Sequence, residues 1–298
     1  PLMAKGVEDT LFYVYNRLIS LNEVGSDPDT FGTTLDAFHE FNIVRACETP
    51  HTLNATATHD TKRGEDTRAR ITVLSELADE WEHQVRIWRR INRRHKRRSG
   101  SAQIPLVNDE YFLYQTLIGV FPFTGADETF RLRIREYVVK AVREAKEHTA
   151  WIKPDTDYEA ACQSFVDGLL HGEDNSFLSL FIPFQRKVAF YGLFNSLSQT
   201  LLKIAAPGIP DFYQGTELWD FSLVDPDNRR PVDFDRRSRM LEDIRTRECD
   251  DPAGLVDELI RTREDGRIKL FLIYRALQAR RRAFDLFSHR SYIPLTAG

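Results

Sequence analysis

The sequence predicts a mainly α-helical protein that contains an incomplete portion of a (β/α) barrel. Only two stretches have the composition of barrel strands, Thr52–Thr58 and Ile209–Tyr213, and most of the remaining chain shows helical periodicity. The first stretch is small, β-branched and uncharged, which suits a short buried strand. A charged turn and a helix follow it. That order is typical of a (β/α) barrel, whose enzymes keep their chemistry at the carboxyl ends of the strands.

The charged turn after the first strand is the leading candidate for a functional site. His59, Asp60, Lys62 and Arg63 fall within five residues, and a helical pattern begins after Gly64. Side chains at the end of a barrel strand are placed to contact a substrate. Alternatively, His59 and Asp60 only cap the helix, because aspartate is a favourable N-cap residue. The sequence leaves both interpretations open.

Helices are predicted wherever apolar residues recur every three or four positions. Phe130, Ile134 and Val138 form such a stripe in the helix Asp127–Glu147. No strand is predicted between Trp81 and Phe181, so this region is interpreted as a helical insertion between the two strands. The other predicted helices are Leu11–Leu18, Leu35–Cys47, 65–77, a helix from about Asp79, Asn108–Pro122, Asp157–Leu170, Asn175–Phe181, Gln185–Ile204 and two or three helices after Ser238, one of them Gly266–Arg282.

Composition excludes several classes of protein. The chain has 298 residues, 29% charged and 42% hydrophobic, with a formal net charge of −4. This composition is typical of globular proteins and gives no general attraction to nucleic acid or anionic membranes. The sequence has no apolar run of the roughly 20 residues that cross a bilayer. Its three cysteines are widely spaced, which favours reduced thiols in the cytoplasm over disulfides or a metal site.

Two further regions carry candidate substrate-binding residues. Lys5 and Glu8 lie in a polar segment before a predicted helix, where acidic residues alternatively complement the helix dipole. The second region follows the strand at Ile209 and offers an aromatic side chain, carboxylates and an arginine, the groups that bind sugars. Its alternative is a rigid Pro-Asp turn anchored by salt bridges. The candidates in this second region are Tyr213, Glu217, Asp227 and Arg229.

A basic segment gives a different hypothesis. Eight lysine or arginine residues lie between Arg86 and Arg98. Such a cluster is typical of nucleic-acid-binding or interaction modules. However, no set of aromatic residues for base stacking accompanies it, and the chain is acidic as a whole. We therefore favour a solvated helix end, or cations that pair with acidic residues elsewhere in the full protein, over a nucleic-acid partner.

Several blocks resemble the maltooligosyltrehalose synthase family of alpha-amylase-type glycoside hydrolases. They read MAKGVEDTLFY, SLNEVG, THDTKRGEDTRAR, NSLSQTLLK and PGIPDFYQGTELWDFSLVDPDNRRPVDF. The resemblance implies an enzyme that converts the reducing-end α-1,4 linkage of a malto-oligosaccharide into an α,α-1,1 linkage, with no cofactor or metal. It also implies that the two strands are barrel strands seven and eight. An α-1,4-glucan hydrolase remains the alternative within this fold.

The resemblance further implies roles for single residues and a division of the chain. Asp60 would be the third catalytic carboxylate, supported by His59, whereas the nucleophile and the acid belong to an earlier part of the family's sequence. No G-x-R-x-D segment supplies a nucleophile here. We therefore expect a fragment that is inactive without the N-terminal part of the same enzyme. The expected divisions are a barrel portion at 1–80, a helical insertion at 81–184, and a last helix, strand and C-terminal helices at 185–298.

Overall fold

The computed structural model describes residues 2–100, 102–172, 175–289 and 291–295, and most of them are helical. The prediction of a mainly α-helical fold is confirmed. Within the described residues there are four strands, each of three residues, and no closed barrel.

The residues group into two compact units, each assembled from separate stretches of the chain. The first comprises residues 1–29, 60–193 and 221–228, and the second comprises 30–59, 194–220 and 229–298. The division of the chain into three consecutive parts, which the sequence analysis expects, stays a prediction.

The first unit is built around an apolar core in which aromatic side chains dominate. Trp88 is fully buried, and its ring lies against those of Trp81, Tyr114 and Phe181 at centroid distances of 5.4 to 5.6 Å. The predicted stripe through Ile134 is also buried. The α-helices that lie in this unit are α1 (Leu2–Gly6), α2 (Phe12–Val14), α4 (Glu65–Thr72), α5 (Ala78–Asn92), α6 (Val107–Val120), α7 (Glu128–Ala145), α8 (Thr156–Leu170) and the first part of α9 (Ser176–Ala205).

The second unit has a smaller core. Leu218, Ile244, Leu255, Leu259 and Leu270 are buried together. The α-helices that lie in this unit are α3 (Leu35–Glu48), the last part of α9, α10 (Phe234–Asp250), α11 (Pro252–Arg261), α12 (Arg267–Arg282) and α13 (Phe284–His289).

Two strands of the second unit form a parallel pair. β1 (Leu53–Ala55) lies beside β4 (Ile209–Asp211), with Leu53 opposite Ile209 and Ala55 opposite Asp211. Both strands occur where the sequence predicts them, but each is shorter than predicted, and Leu53 is 59% exposed. The connection between them exceeds 150 residues, so only the folded chain shows that they are neighbours.

A glycine allows the chain just before β4 to lie close to β1. Gly208 has φ of +115°, a conformation that side-chain-bearing residues rarely adopt. A Cβ atom at Gly208 would lie 2.7 Å from the carbonyl oxygen of Thr52 and 2.6 Å from Oδ1 of Asn54. The amide nitrogen of Asn54 donates to the carbonyl of Pro207 at 2.9 Å, which fixes the chain just before β4.

Three predictions about secondary structure are wrong. The predicted helix Leu11–Leu18 is instead a π-helical turn at Val7–Leu11 followed by α2, which ends at Val14. The side-chain amide of Asn22 donates to the carbonyls of Phe12 and Tyr15 at 2.9 and 2.8 Å. These carbonyls therefore bond to a side chain and not to a further helical turn.

The second error is the prediction that no strand lies between Trp81 and Phe181. β2 (Arg97–Ser99) and β3 (Ala102–Ile104) form an antiparallel hairpin around Gly100, which has φ of +58°. All three residues of β2 are exposed and two are arginines, so an apolar pattern could not reveal the strand.

The third error concerns the helices predicted at Asn175–Phe181 and Gln185–Ile204. They are one helix, α9, which continues through Pro183. Proline removes one backbone hydrogen bond from a helix. Phe181 and Phe184 on either side of it are buried in the core of the first unit, and this packing stabilises the helix through the proline.

Candidate functional site

The charged turn Asp60–Arg63 lies in the first unit, and its side chains differ sharply in exposure. Asp60 is exposed, whereas Lys62 and Arg63 are 4% and 1% exposed. The helix α4 begins directly after the turn and its N-cap residue is Gly64, which has no side chain to cap it. Asp60 is therefore not the N-cap residue of α4. The N-cap interpretation is therefore wrong, and the role of Asp60 as a site residue stays a prediction.

The ammonium group of Lys62 lies in a chain of alternating charges. Its Nζ donates to Oδ1 of Asp9 at 2.9 Å, and the other oxygen of Asp9 accepts from Lys5. Asp9 belongs to the π-helical turn Val7–Leu11. Such turns are rare and occur frequently at functional sites. Two lysines thus share one carboxylate beside the charged turn.

The charges of this cluster shift one another's pKa values. Partial burial acts to raise the pKa of Asp9, but hydrogen bonds from Lys5 and Lys62 outweigh it, so the pKa of Asp9 is lowered. The pKa of Lys5 is raised, first by its hydrogen bond to Asp9 and to a smaller extent by the charges of Glu144 and Asp60. Both shifts favour the charged forms, the carboxylate of Asp9 and the ammonium group of Lys5.

The backbone of the charged turn is bound to a residue that the sequence analysis did not single out. Oε1 of Glu23 accepts from the backbone N–H of Lys62 at 2.7 Å, and Oε2 accepts from that of Arg63 at 3.2 Å. The only sequence signal for Glu23 is its place in the block SLNEVG. No motif spacing connects it to Lys62, because they are 39 positions apart.

The other first-unit candidates differ in accessibility. The Arg63 guanidinium donates to the carbonyls of Ile19 and Asn22 at 3.2 and 3.3 Å and is enclosed by protein. This burial favours a structural role for Arg63 over a contact with substrate. Glu8 is half-buried in the π-helical turn, beside Asp9 in sequence.

Asp227 is the remaining candidate in the first unit. Its carboxylate accepts from Nε of Arg133 and from the backbone N–H of Leu223, both at 2.7 Å. These bonds match the alternative predicted for this segment, a turn anchored by a salt bridge.

The second unit contains four of the predicted residues. His59 is exposed, Tyr213 is half-buried, and Arg229 is exposed at the end of a short 3-10 helix. Oε2 of Glu217 accepts from Nε of Arg237 at 3.0 Å, and the same guanidinium donates to the carbonyl of Gly215. The Glu217 side chain is 28% exposed, so this ion pair leaves part of it accessible.

The basic segment is partly neutralised by acidic residues of the first unit. Nζ of Lys96 lies 2.8 Å from Oε2 of Glu110, a buried carboxylate, and Arg89 approaches the same oxygen at 3.6 Å. Arg86 pairs with Glu82 at 2.5 Å. These pairs favour a helix surface with internal ion pairs over a free polycationic face.

Neither a metal site nor a membrane span is found in the described part of the chain. Residues 2–100, 102–172, 175–289 and 291–295 hold no group of three histidine, cysteine, aspartate or glutamate side chains placed to bind a metal ion. No helix among these residues is long and apolar enough to cross a bilayer. A cavity of about 530 Å³ beside the β2–β3 hairpin is lined by Arg97, His148 and Tyr158, none of them a candidate residue.

Comparison with known proteins gives consistent matches. The chain is 40% identical over 240 residues to a Mycobacterium tuberculosis protein whose name assigns it to the maltooligosyl trehalose synthases, covering 80% of this chain and 30% of that protein. A crystal structure of maltooligosyl trehalose synthase matches 99% of this chain with a TM-score of 0.83 and 36% identity, over 38% of its own length. The Arthrobacter ramosus maltooligosyltrehalose synthase matches 96% of this chain, with 37% identity and a TM-score of 0.78, over 34% of its length. No family model matches.

These matches define the chain as a homologue of one stretch of a longer enzyme, since it spans about a third of the length of the relatives it matches. That enzyme is maltooligosyl trehalose synthase, and the resemblance identified from the sequence is confirmed.

Proposed function

We propose that this chain supplies part of an enzyme that converts the reducing-end α-1,4 linkage of malto-oligosaccharides into an α,α-1,1 linkage by intramolecular transglucosylation. The observation that carries the proposal is its identity of 36 to 40% with maltooligosyl trehalose synthases. The exposed Asp60, in a turn whose Lys62 is paired with Asp9, adds a suitable site.

Asp60 is the proposed catalytic residue of this chain. Rearrangement of a glycosidic bond with retention passes through an oxocarbenium-like transition state, which hydrogen bonds to the sugar hydroxyls stabilise. An exposed carboxylate can accept hydrogen bonds from these hydroxyls. The absence of Asp60 from the N-cap position of α4 supports this role over simple capping.

Lys5 and Glu8 are proposed to bind the substrate beside Asp60, whereas Lys62, which is 4% exposed, is better explained as a structural partner of Asp9. Asp9 accepts from both lysines, and the exposed ammonium group of Lys5 can donate its other N–H groups to hydroxyl oxygens. Lys5 is the more accessible of the two, with 75% of its side chain exposed. His59, Tyr213, Glu217 and Arg229 remain proposed binding residues, whereas the buried Arg63 and the paired Asp227 are better explained as structural.

The barrel assignment is a further part of the proposal. We assign β1 and β4 to strands seven and eight of a (β/α) barrel that the rest of the enzyme completes. Their parallel pairing supports this assignment, because successive barrel strands lie side by side in parallel. The nucleophile and the acid are not assigned to this chain, so we expect the chain to be inactive without the remaining part of the enzyme.

An α-1,4-glucan hydrolase uses the same carboxylates with water as the acceptor. The relatives' names favour the isomerase over this alternative and over the nucleic-acid-binding module. We propose a cytoplasmic location, based on the malto-oligosaccharide substrate and the three free cysteines.

Incubating the full-length protein with malto-oligosaccharides of defined length tests the proposal. We expect products that end in trehalose and have lost their reducing end, without added metal or cofactor. The present chain alone serves as the control and should give none. Release of glucose or maltose without trehalose-ended products would identify a hydrolase, and no conversion at all would contradict both.

A further inference from the structure

The carboxylate of Glu23 binds the backbone of the charged turn. It accepts from two consecutive N–H groups of the turn, those of Lys62 and Arg63, at 2.7 and 3.2 Å. It also accepts from the N–H of Val24 at 2.9 Å and lies 3.7 Å from Nε of Arg68. Both oxygens are therefore in use.

Glu23 itself is held in a fixed position. It is 6% exposed, its backbone N–H donates to Oγ of Ser26 at 3.1 Å, and its carbonyl accepts from Ser26. A buried carboxylate is costly unless hydrogen bonds and opposite charge compensate it. Three N–H groups and the Arg68 guanidinium supply that compensation. The carboxylate is thus a rigid anchor and does not face solvent.

Lys62 is consequently fixed at both of its ends. Glu23 holds its backbone nitrogen, and Asp9 holds its ammonium group. Asp60 lies two residues before Lys62 in the same turn. Because Lys62 and Arg63 are held in place, these contacts restrict the position of the Asp60 carboxylate.

We propose that Glu23 is a positioning residue, which holds the turn Asp60–Arg63 in the geometry that catalysis requires without contacting the substrate. The role in catalysis rests on the proposed function. The anchoring of the turn stands on the hydrogen bonds alone. A displacement of about 1 Å at a reacting group can lower a rate about 100-fold, so a buried anchor of this kind controls the rate at a distance.

The chemistry requires a carboxylate at position 23. In Glu23→Gln one oxygen is replaced by an NH2 group, which donates and cannot accept. One of the two turn N–H groups then loses its acceptor, while the side-chain volume is nearly unchanged. The substitution thus loosens the turn and leaves the packing in place.

The first experiment measures whether the turn loosens. We expect Glu23→Gln to accelerate hydrogen exchange at the amides of Lys62 and Arg63 by at least about tenfold, with exchange in α6 and α7 unchanged. Glu76→Gln is the matched control, because Glu76 is an exposed glutamate of the same unit, and it should change neither. Unchanged exchange at the turn would overturn the proposal, whatever the enzyme's activity.

The second experiment measures turnover in the full-length protein. Glu23→Gln should lower kcat about 10- to 100-fold with KM within about threefold, because the misplaced group acts in the transition state. Asp60→Asn combined with Glu23→Gln should be no slower than Asp60→Asn alone, since residues that act as one unit are not additive. Multiplicative losses in the double variant, or normal turnover in Glu23→Gln, would overturn the positioning role.

The two proposals fail in different ways. If the unmodified enzyme makes no trehalose-ended product, the proposed function fails, and the exchange experiment still decides whether Glu23 anchors the turn. If Asp60→Asn keeps normal turnover, the catalytic part of the positioning role is overturned with it. If Glu23→Gln does not fold, Glu23→Asp, which keeps the charge but shortens the reach, is measured with the same criteria.

Discussion

Nζ of Lys62 lies 2.9 Å from Oδ1 of Asp9, although 53 positions separate the two residues in the sequence. The Lys62 side chain is 4% exposed, and Asp9 supplies the negative charge beside its buried ammonium group. In the sequence, Asp9 reads as an acidic residue near the start of a helix. In the folded chain it links a π-helical turn to the turn that carries Asp60.

Replacing Asp9 by asparagine should destabilise the protein because the buried ammonium of Lys62 loses its opposite charge. We expect the free energy of unfolding at pH 7 to fall by about 1.5 to 3 kcal/mol, the range for hydrogen bonds to charged groups. Urea denaturation of both proteins measures this. Asp79→Asn, an exposed aspartate of the same unit, should have little effect.

The same pair should make stability depend on pH. The pKa of Asp9 is lowered in the folded state below its ordinary value of 3.8. Its contribution is therefore fully present above that value and is lost as the pH falls through the folded-state pKa. The difference between the original protein and Asp9→Asn should shrink below pH 3.8. A difference that stays constant with pH would contradict the ion pair.

Asp60→Asn separates catalysis from local structure. If Asp60 stabilises the transition state, kcat of the full-length enzyme should fall about 100- to 1000-fold while the thermal midpoint changes by little, because the amide is nearly isosteric but uncharged. Initial rates of trehalose-ended product formation and a thermal melt check both. Near-normal turnover in this variant would remove Asp60 from the catalytic residues.

Glu258 should make the stability of the second unit sensitive to acid. It accepts hydrogen bonds from Arg247 and from Arg267, the latter at 2.9 Å, and these bonds lower the pKa of Glu258 from 4.5 to about 2. Its contribution is present above pH 4.5 and is lost as the pH falls toward 2. Glu258→Gln should therefore lower the thermal midpoint at pH 7, and the deficit should narrow in that acid range.

High salt and a neighbouring glutamate provide the controls for Glu258. In 1 M NaCl the Debye length is about 3 Å, so the deficit of Glu258→Gln should decrease. Glu242→Gln changes an exposed glutamate on α10 and should leave the midpoint nearly unchanged at either salt concentration. An equal loss in both variants would show that the arginine bridges of Glu258 are not the cause.

Gly208→Ala tests the approach of the chain to the parallel strand pair. An alanine there has an unfavourable φ, and its Cβ lies 2.7 Å from the Thr52 carbonyl oxygen, a backbone atom that cannot move away cheaply. Gly125→Ala is the matched control, since Gly125 has a similar φ of +92° but nothing within 4 Å of the added Cβ. The φ strain alone costs about 1 to 2 kcal/mol.

We therefore expect Gly208→Ala to lose more stability than Gly125→Ala, by an amount that reports the contact with β1. Urea denaturation of both variants measures the difference. Equal losses would mean that the strand pair adjusts without cost.

The local elements of this protein can be predicted from its sequence. The helices around Trp88 and Ile134 occur where predicted, because an apolar stripe with a period near 3.6 residues is contained within a few turns of chain. The positions of β1 and β4 were also predictable from their composition, and the family followed from blocks of adjacent residues. The same local pattern made Asp60 a candidate site residue.

The contacts between distant residues follow from the folded chain and not from any local pattern. Asn22 ends α2 early, Gly208 lets the chain approach β1, and Glu23 accepts from the backbone of Lys62. The same fold leaves Asp60 exposed while Arg63, three residues later, is buried. Periodicity and capping act over a few residues, whereas a buried charge finds its partner through the fold of the whole unit. For this reason the helices and strands could be predicted from the sequence, whereas the contacts that hold the candidate site could not.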